Sequence, residues 1–187
     1  MKYFKKIVGE RVYLSPMNPN DVEKYTKWIN DLEVSINLGN PAQIYSLGKE
    51  KELLEELSKE GNNLAIVDLE RDELIGNCGL MNINQINRTA ELGIFIGDKG
   101  YWSKGFGREA INLLLDYGFN LLNLNNILLK VYSFNKRAIK CYKRCGFKEI
   151  GRRREAYILG NKRYDFIYMD ILASEFKGKI TDFISNY

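Results

Sequence analysis

Apolar residues recur at helical spacing at Ile111, Leu114, Leu115 and Leu122, which predicts a helix over Gly105–Leu122. Two helices precede it: one is capped by Asn18-Pro19-Asn20-Asp21 and runs to about Asn30, and the other covers Leu47–Lys59. β-rich runs occupy Glu10–Ser15, Leu64–Leu69, Glu73–Asn84 and Thr89–Gly97, with a turn near Arg71-Asp72. After the long helix come a strand over Asn126–Ser133, a helix over Lys136–Cys145, and strands over Phe147–Leu159 and Lys162–Leu172. Asn135 suits the N-cap of that helix, and Gly146 suits the left-handed residue that ends it. The segment Asp31–Tyr45 contains Gly39-Asn40-Pro41 and reads as a loop. The tail after Glu175 reads as a short helix or a frayed end. Strands alternate with helices, and hairpins stand on both sides of the glycine-rich stretch. The pattern predicts an α/β (α+β) class with a mixed sheet covered by helices. No linker or repeat divides the chain, so residues 1–187 are read as a single domain.

Between the apolar run Ala90–Ile96 and the long helix lies Gly100-Tyr101-Trp102-Ser103-Lys104-Gly105-Phe106-Gly107-Arg108. Strand, glycine turn and helix start form an arrangement that binds phosphate. The first N–H groups of the helix have no intrahelical acceptor, and the glycines let a ligand come close to the backbone. Lys104 and Arg108 add positive charge, so a diphosphate is the natural ligand. No Lys-Ser or Lys-Thr follows Gly105, which excludes a P-loop, and a dinucleotide fingerprint lacks its third glycine.

Together with Asn135, Tyr142 and Gly146-Phe147, the Gly105-Phe106-Gly107 loop makes the chain resemble the GNAT acyl-CoA N-acetyltransferases. The likeness runs from about Ile75 to Leu172. Arg88-Thr89-Ala90-Glu91 and Gly160-Asn161-Lys162-Arg163-Tyr164-Asp165 point to the branch with ribosomal-protein N-terminal and spermidine acetyltransferases. The resemblance implies the GNAT fold: a mostly antiparallel sheet of about seven strands, splayed between the fourth and fifth, with about four helices and acetyl-CoA in the gap. It implies that Trp102, Ser103, Lys104, Gly105, Phe106, Gly107 and Arg108 cradle the diphosphate. The backbone of Ile94, Phe95 and Ile96 would receive the thioester arm as an added strand, and Asn135 would hydrogen-bond the arm. Where the family usually has Gln or Arg, this chain has Trp102, which changes the packing of the loop or the cover over the cofactor.

Composition narrows the chemistry further. The formal net charge is +4, dispersed and too small to argue for nucleic acid. No signal peptide and no membrane span are read, which points to the cytoplasm. The three cysteines, Cys78, Cys141 and Cys145, read as buried thiols and not as a disulfide framework. The chain has no histidine, which removes His-based triads and His general bases and makes a zinc site improbable, so no metal is expected. Acid–base work falls to Glu, Asp, Tyr, Lys or water. Tyr142 is the candidate general acid for a departing thiolate, because a phenol keeps its proton at neutral pH. Glu91 is the candidate base or ammonium anchor. It alternates with Leu92, Ile94 and Ile96 and so faces away from them; an ion pair with Arg88 or Lys99 is its structural alternative.

Tyr164, Asp165 and the loop from Asn30 to Gln43 would border the acceptor, by topology and resemblance. Asp31, Glu33 and the glutamates at 50, 52, 55 and 56 could draw a polycation, but carboxylates on a polar loop or helix more often face solvent. For the helix, Lys49, Lys51 and Lys59 supply the balance.

The leading expectation is direct transfer of acetyl from acetyl-CoA to a primary amine in a ternary complex, the acceptor being a protein N-terminus or a polyamine. An amino sugar or aminoglycoside acceptor stays open, as does a non-catalytic acyl-CoA-binding regulator of the same fold. Neither nucleic acid nor membrane is an expected partner, and homodimerisation follows only from family habit.

Overall fold

The computed structural model describes residues 2–178, which form two compact units. The first comprises residues up to Gly79 together with Ile94–Ala110, and the second comprises Leu80–Gly93 and the residues from Ile111 onward.

In the first unit the chain runs through β1 (Ile7–Val8), β2 (Val12–Pro16), α1 (Val22–Ile29), α2 (Leu32–Leu38), α3 (Leu47–Glu60) and β3 (Asn63–Asp68). β4 (Leu74–Asn84), β5 (Thr89–Ile96) and α4 (Phe106–Asp116) each have residues in both units. The second unit adds β6 (Asn126–Tyr132), α5 (Lys136–Arg144), β7 (Lys148–Leu159) and β8 (Lys162–Leu172). The strand order is β1-β2-β3-β4-β5-β6-β8-β7, an eight-stranded mixed sheet. β5 and β6 run parallel, while β1–β2, β2–β3, β3–β4, β6–β8 and β7–β8 are antiparallel. The fold class is as expected, with one more strand and one more helix than anticipated.

The extra helix is α2, which lies inside the segment read as a loop. Asp31 caps it by accepting from the Glu33 N–H at 2.9 Å, and Gly39, at φ 90°, ends it. Both signals are visible in the sequence, but only Val34 and Ser35 are buried in so short a helix, so its apolar periodicity is weak. The extra strand, β1, is two residues long and pairs Ile7 with Leu14. The long helix stops being α-helical at Asp116, and Tyr117–Leu121 continue as a π-turn. A side chain at Gly118 in that turn would press on Ile127 and Leu80. The expectation for the tail falls mainly on residues 179–187, outside the described residues; a short 3₁₀ turn covers Ala173–Glu175.

The first unit's core is aromatic. Tyr25, Trp28 and Phe95 meet edge to face, with centroids 5.5 to 6.1 Å apart, a geometry worth about 0.5–1.5 kcal/mol per pair beyond burial. Gly97 lies flat beneath Trp28, where any Cβ would overlap the indole. Of the thiols, Cys78 and Cys145 are buried and Cys141 is half-buried; none is in a disulfide.

One residue contradicts the reading of α3 as a helix with a fully solvated acidic face. Glu52 and Glu56 are exposed, but Glu50 is only 2% exposed. Burial pushes its carboxyl from the usual 4.5 up to about 7. The folded state therefore holds this proton more tightly than the unfolded chain. The group costs nothing below the unfolded value, and stability falls as pH rises from about 4.5 through 7, by at most roughly 3 kcal/mol. Glu50→Gln is expected to raise the urea midpoint at pH about 8 and to leave it nearly unchanged at pH about 4.5. Parallel urea melts at the two pH values measure the difference.

Candidate functional site

The glycine loop is shaped by contacts within the first unit. Asp98 accepts from the Gly100 N–H at 2.8 Å and turns the chain out of β5. Ser103 and Gly105 both take positive φ, 60° and 91°, and Gly105 carries the chain to the start of α4. A Cβ at Gly105 would stand 3.1 Å from the Arg11 guanidinium. That guanidinium donates to the Lys104 carbonyl at 3.0 Å, donates to Glu109 Oε2 at 3.0 Å, and stacks over the Phe106 ring at 4.7 Å. Glu109 Oε1 accepts from the N–H groups of Glu10 and Arg11, both at 2.7 Å. Burial of the Glu109 carboxyl opposes ionisation, but the Arg11 N–H, the Arg11 guanidinium and the Val12 and Glu10 N–H groups outweigh it, so its pKa is lowered. Arg11 and Glu109 were not legible as site residues, since 98 positions separate them and neither forms a local pattern.

This loop has the features that a diphosphate requires. The Glu109 N–H is bonded to the Gly105 carbonyl at 3.1 Å, so the amides just before it precede the helical ladder. A Cβ at Gly107 would make only ordinary contact with Ile96, at 3.6 Å. No contact among the described residues requires glycine there, and its lack of a side chain leaves the backbone open to a ligand. Lys104 and Arg108 are exposed on the same loop.

Trp102 does not lie over the loop as a free ring. It packs against the first unit's core, and its indole N–H donates to the Ile96 carbonyl at 2.7 Å. Of the three β5 residues expected to offer backbone groups, Ile96 thus has its carbonyl engaged. Ile94 and Ile96 are half-buried, while the Phe95 side chain belongs to the aromatic core. The parallel β5–β6 ladder ends at Glu91–Leu128, although β5 runs on to Ile96 and β6 to Tyr132.

The other predicted residues lie in the second unit. Asn135 caps α5, accepting from the Ala138 N–H at 3.1 Å. Tyr142, on the same helix, is buried and meets Phe147 edge to face at 6.0 Å. Burial, with smaller contributions from Cys141 and Cys145, drives its pKa well above the ordinary phenol value, so its proton is retained. Glu91 is half-buried and accepts from Asn82 Nδ2 at 3.3 Å. The alternative reading, an ion pair with Arg88 or Lys99, is not formed: Arg88 donates to the Asn123 backbone and side chain at 2.6 Å, and Lys99 pairs with Asp31 at 2.7 Å and Glu33 at 2.6 Å. The two loop acids are thereby engaged with a lysine and not simply solvated. Asp165 accepts from the Glu155 N–H at 2.9 Å and from Arg152 at 3.3 Å, and Tyr164 meets Phe134 edge to face.

The first unit also holds a cavity of about 190 Å³ that the sequence did not disclose. Residues of α1, α2, α3, β4 and β5 line it, including Tyr25, Ser35, Glu50, Leu54, Asn77 and Phe95. Glu50 Oε2, Tyr25 Oη and Asn77 Oδ1 are buried and have no hydrogen-bond partner among the described residues. Each such atom costs about 1–3 kcal/mol if nothing fills its valence.

Comparison with known proteins agrees with this architecture. The family model described as Acetyltransferase (GNAT) domain matches residues 11–148. An uncharacterized N-acetyltransferase, p20, from Bacillus licheniformis is 33% identical over 90% of this chain and 97% of its own length. Spermidine N(1)-acetyltransferase from Vibrio cholerae serotype O1 is 39% identical over 59% of this chain and 64% of its own. The crystal structure of the Vibrio cholerae spermidine N-acetyltransferase in complex with CoA and spermine superposes with a TM-score of 0.79. It shares 29% identity and covers 89% of this chain and 98% of that one. The chain therefore belongs to the GNAT acetyltransferase family, enzymes that move an acetyl group from acetyl-CoA to an amine.

Proposed function

We propose that this chain transfers acetyl from acetyl-CoA to a primary amine by direct attack in a ternary complex, within a single acetyltransferase domain of residues 1–187. The observation that carries the proposal is the loop from Trp102 to Arg108, braced by Arg11 and Glu109 at the start of α4. The first-turn amides, Lys104 and Arg108 hold the diphosphate. Backbone groups of Ile94 and Phe95, with the Ile96 N–H, receive the thioester arm, and Asn135 adds a hydrogen bond to it. When bound, acetyl-CoA supplies the activated acyl group. A backbone N–H directed at the thioester carbonyl stabilises the oxygen as charge develops on it. Tyr142 donates its proton to the leaving thiolate. The proton that the amine loses goes to a carboxylate, for which the sequence offers Glu91 and the cavity offers Glu50. Three cysteines outside any disulfide support a cytoplasmic enzyme. Homodimerisation belongs to the same proposal.

The assay is thiol release from acetyl-CoA over polyamines, peptides with free N-termini, amino sugars and aminoglycosides. Turnover with one class is expected, and release with none of them would refute the transferase. Tyr142→Phe should lower kcat by about 10²-fold or more while leaving coenzyme A affinity within about twofold. An unchanged kcat would remove Tyr142 as the acid.

Gly105→Glu should eliminate coenzyme A binding, because it puts a side chain on a positive-φ residue and drives it into the Arg11 guanidinium that braces the loop. Glu109→Gln should weaken coenzyme A binding by about tenfold, since a neutral amide holds Arg11 and the β1–β2 turn less firmly. Calorimetric titration with coenzyme A reads both; undiminished affinity in either variant would show that the loop is not the diphosphate site.

A further inference from the structure

The cavity beneath α1, α2 and α3 is lined by Glu50, Tyr25 and Asn77, whose Oε2, Oη and Oδ1 atoms are buried without a hydrogen-bond partner among the described residues. Glu50 and Tyr25 are each 2% exposed. Around them the wall is apolar, formed by residues such as Met17, Leu54 and Phe95. The cavity extends outward to Asn40 and Leu53, which are exposed. Tyr45 also lines it, and Lys49 Nζ stands 4.6 Å from the centre of the Tyr45 ring.

We propose that this cavity is the acceptor pocket, and that it takes a primary monoamine with a compact apolar body, head first, with Glu50 receiving the ammonium. A primary ammonium has three N–H donors, and Glu50, Asn77 and Tyr25, which line the cavity, each carry an oxygen without a partner among the described residues. A hydroxyl head would bring one donor and no charge for the carboxylate, and an anion would be repelled by it. A polyamine matches the pocket poorly. Its second charge would rest on the apolar wall or reach the rim, where Lys49 already stands.

The pocket also prepares the nitrogen for attack. One N–H proton passes to Glu50 Oε2: an N–H bond breaks, an O–H bond forms, and the ammonium and carboxylate become an amine and a carboxylic acid. Both pairs have zero net charge, but apolar walls favour the neutral one. Burial has already brought this carboxyl up to about 7, the range suited to a base working near neutral pH. Phe95, which walls the cavity, belongs to the β5 segment whose backbone is proposed to hold the thioester arm. That the guest is the acceptor rests on the acetyl transfer proposed for this chain; the cavity's affinity for an ammonium does not.

The test uses phenethylamine and spermidine as probes. Each is titrated by calorimetry into the full chain and into Glu50→Gln and Glu52→Gln, and thiol release from acetyl-CoA is then measured with each amine. Phenethylamine is expected to bind about tenfold or more tightly than spermidine. Glu50→Gln should weaken it about a hundredfold and lower kcat with that amine, whereas Glu52→Gln, at an exposed position of α3, should do neither. Glutamine keeps the size of the side chain, and unchanged coenzyme A affinity will show that the variant is folded. Phenethylamine affinity that survives Glu50→Gln, or spermidine bound as tightly as phenethylamine, overturns the pocket. Thiol release with phenethylamine that ignores Glu50→Gln overturns the pocket and upholds the transferase. Glu50-dependent binding without thiol release overturns the acceptor assignment and leaves an ammonium site.

Discussion

The glycine loop depends on one carboxylate. Glu109 sits in the first turn of α4, where the helix dipole favours negative charge, and it accepts from backbone N–H groups of the β1–β2 turn and from Arg11. Arg11 passes the constraint on to the Lys104 carbonyl and to the face of Phe106. A loop with two positive-φ residues, Ser103 and Gly105, would otherwise sample many shapes. Here it is held from the outside, by Glu109 and Arg11.

Trp102 extends the same logic. Its ring adds to the core and its N–H occupies the Ile96 carbonyl, so the chain between β5 and the loop is tied down at both ends. A Gln or Arg at this position could reach solvent or phosphate, but an indole instead stiffens the loop from within. This exchange of a polar contact for packing accounts for the departure from the family's usual residue.

The cavity carries the opposite kind of information. A folded chain rarely leaves buried carboxylate, phenol and amide oxygens together without partners, because each lowers stability. Glu50 is a persistent cost above neutral pH, placed in the interior of a unit whose aromatic core is otherwise well packed. A residue that costs stability where a smaller apolar one would not is accounted for by what it does for a guest.

The strand and helix order, the class, the loop, and the capping roles of Asn135 and Gly146 could all be read from the chain alone. Each is a local matter of periodicity, φ preference or a side chain bonding its own backbone, and local signals survive without knowledge of the fold. The short helix after Asp31 was legible only in its caps, because too few of its residues are buried to show a stripe. What the tertiary structure decided is which charges have work to do. Glu50 looked like its neighbours on an acidic helix and turned out to be interior. Arg88 and Lys99 looked like partners for Glu91 and are held by Asn123, Asp31 and Glu33 instead. Arg11 and Glu109 meet across most of the sequence. Desolvation and ion pairing depend on distances set by packing, and a linear pattern of residues does not contain those distances.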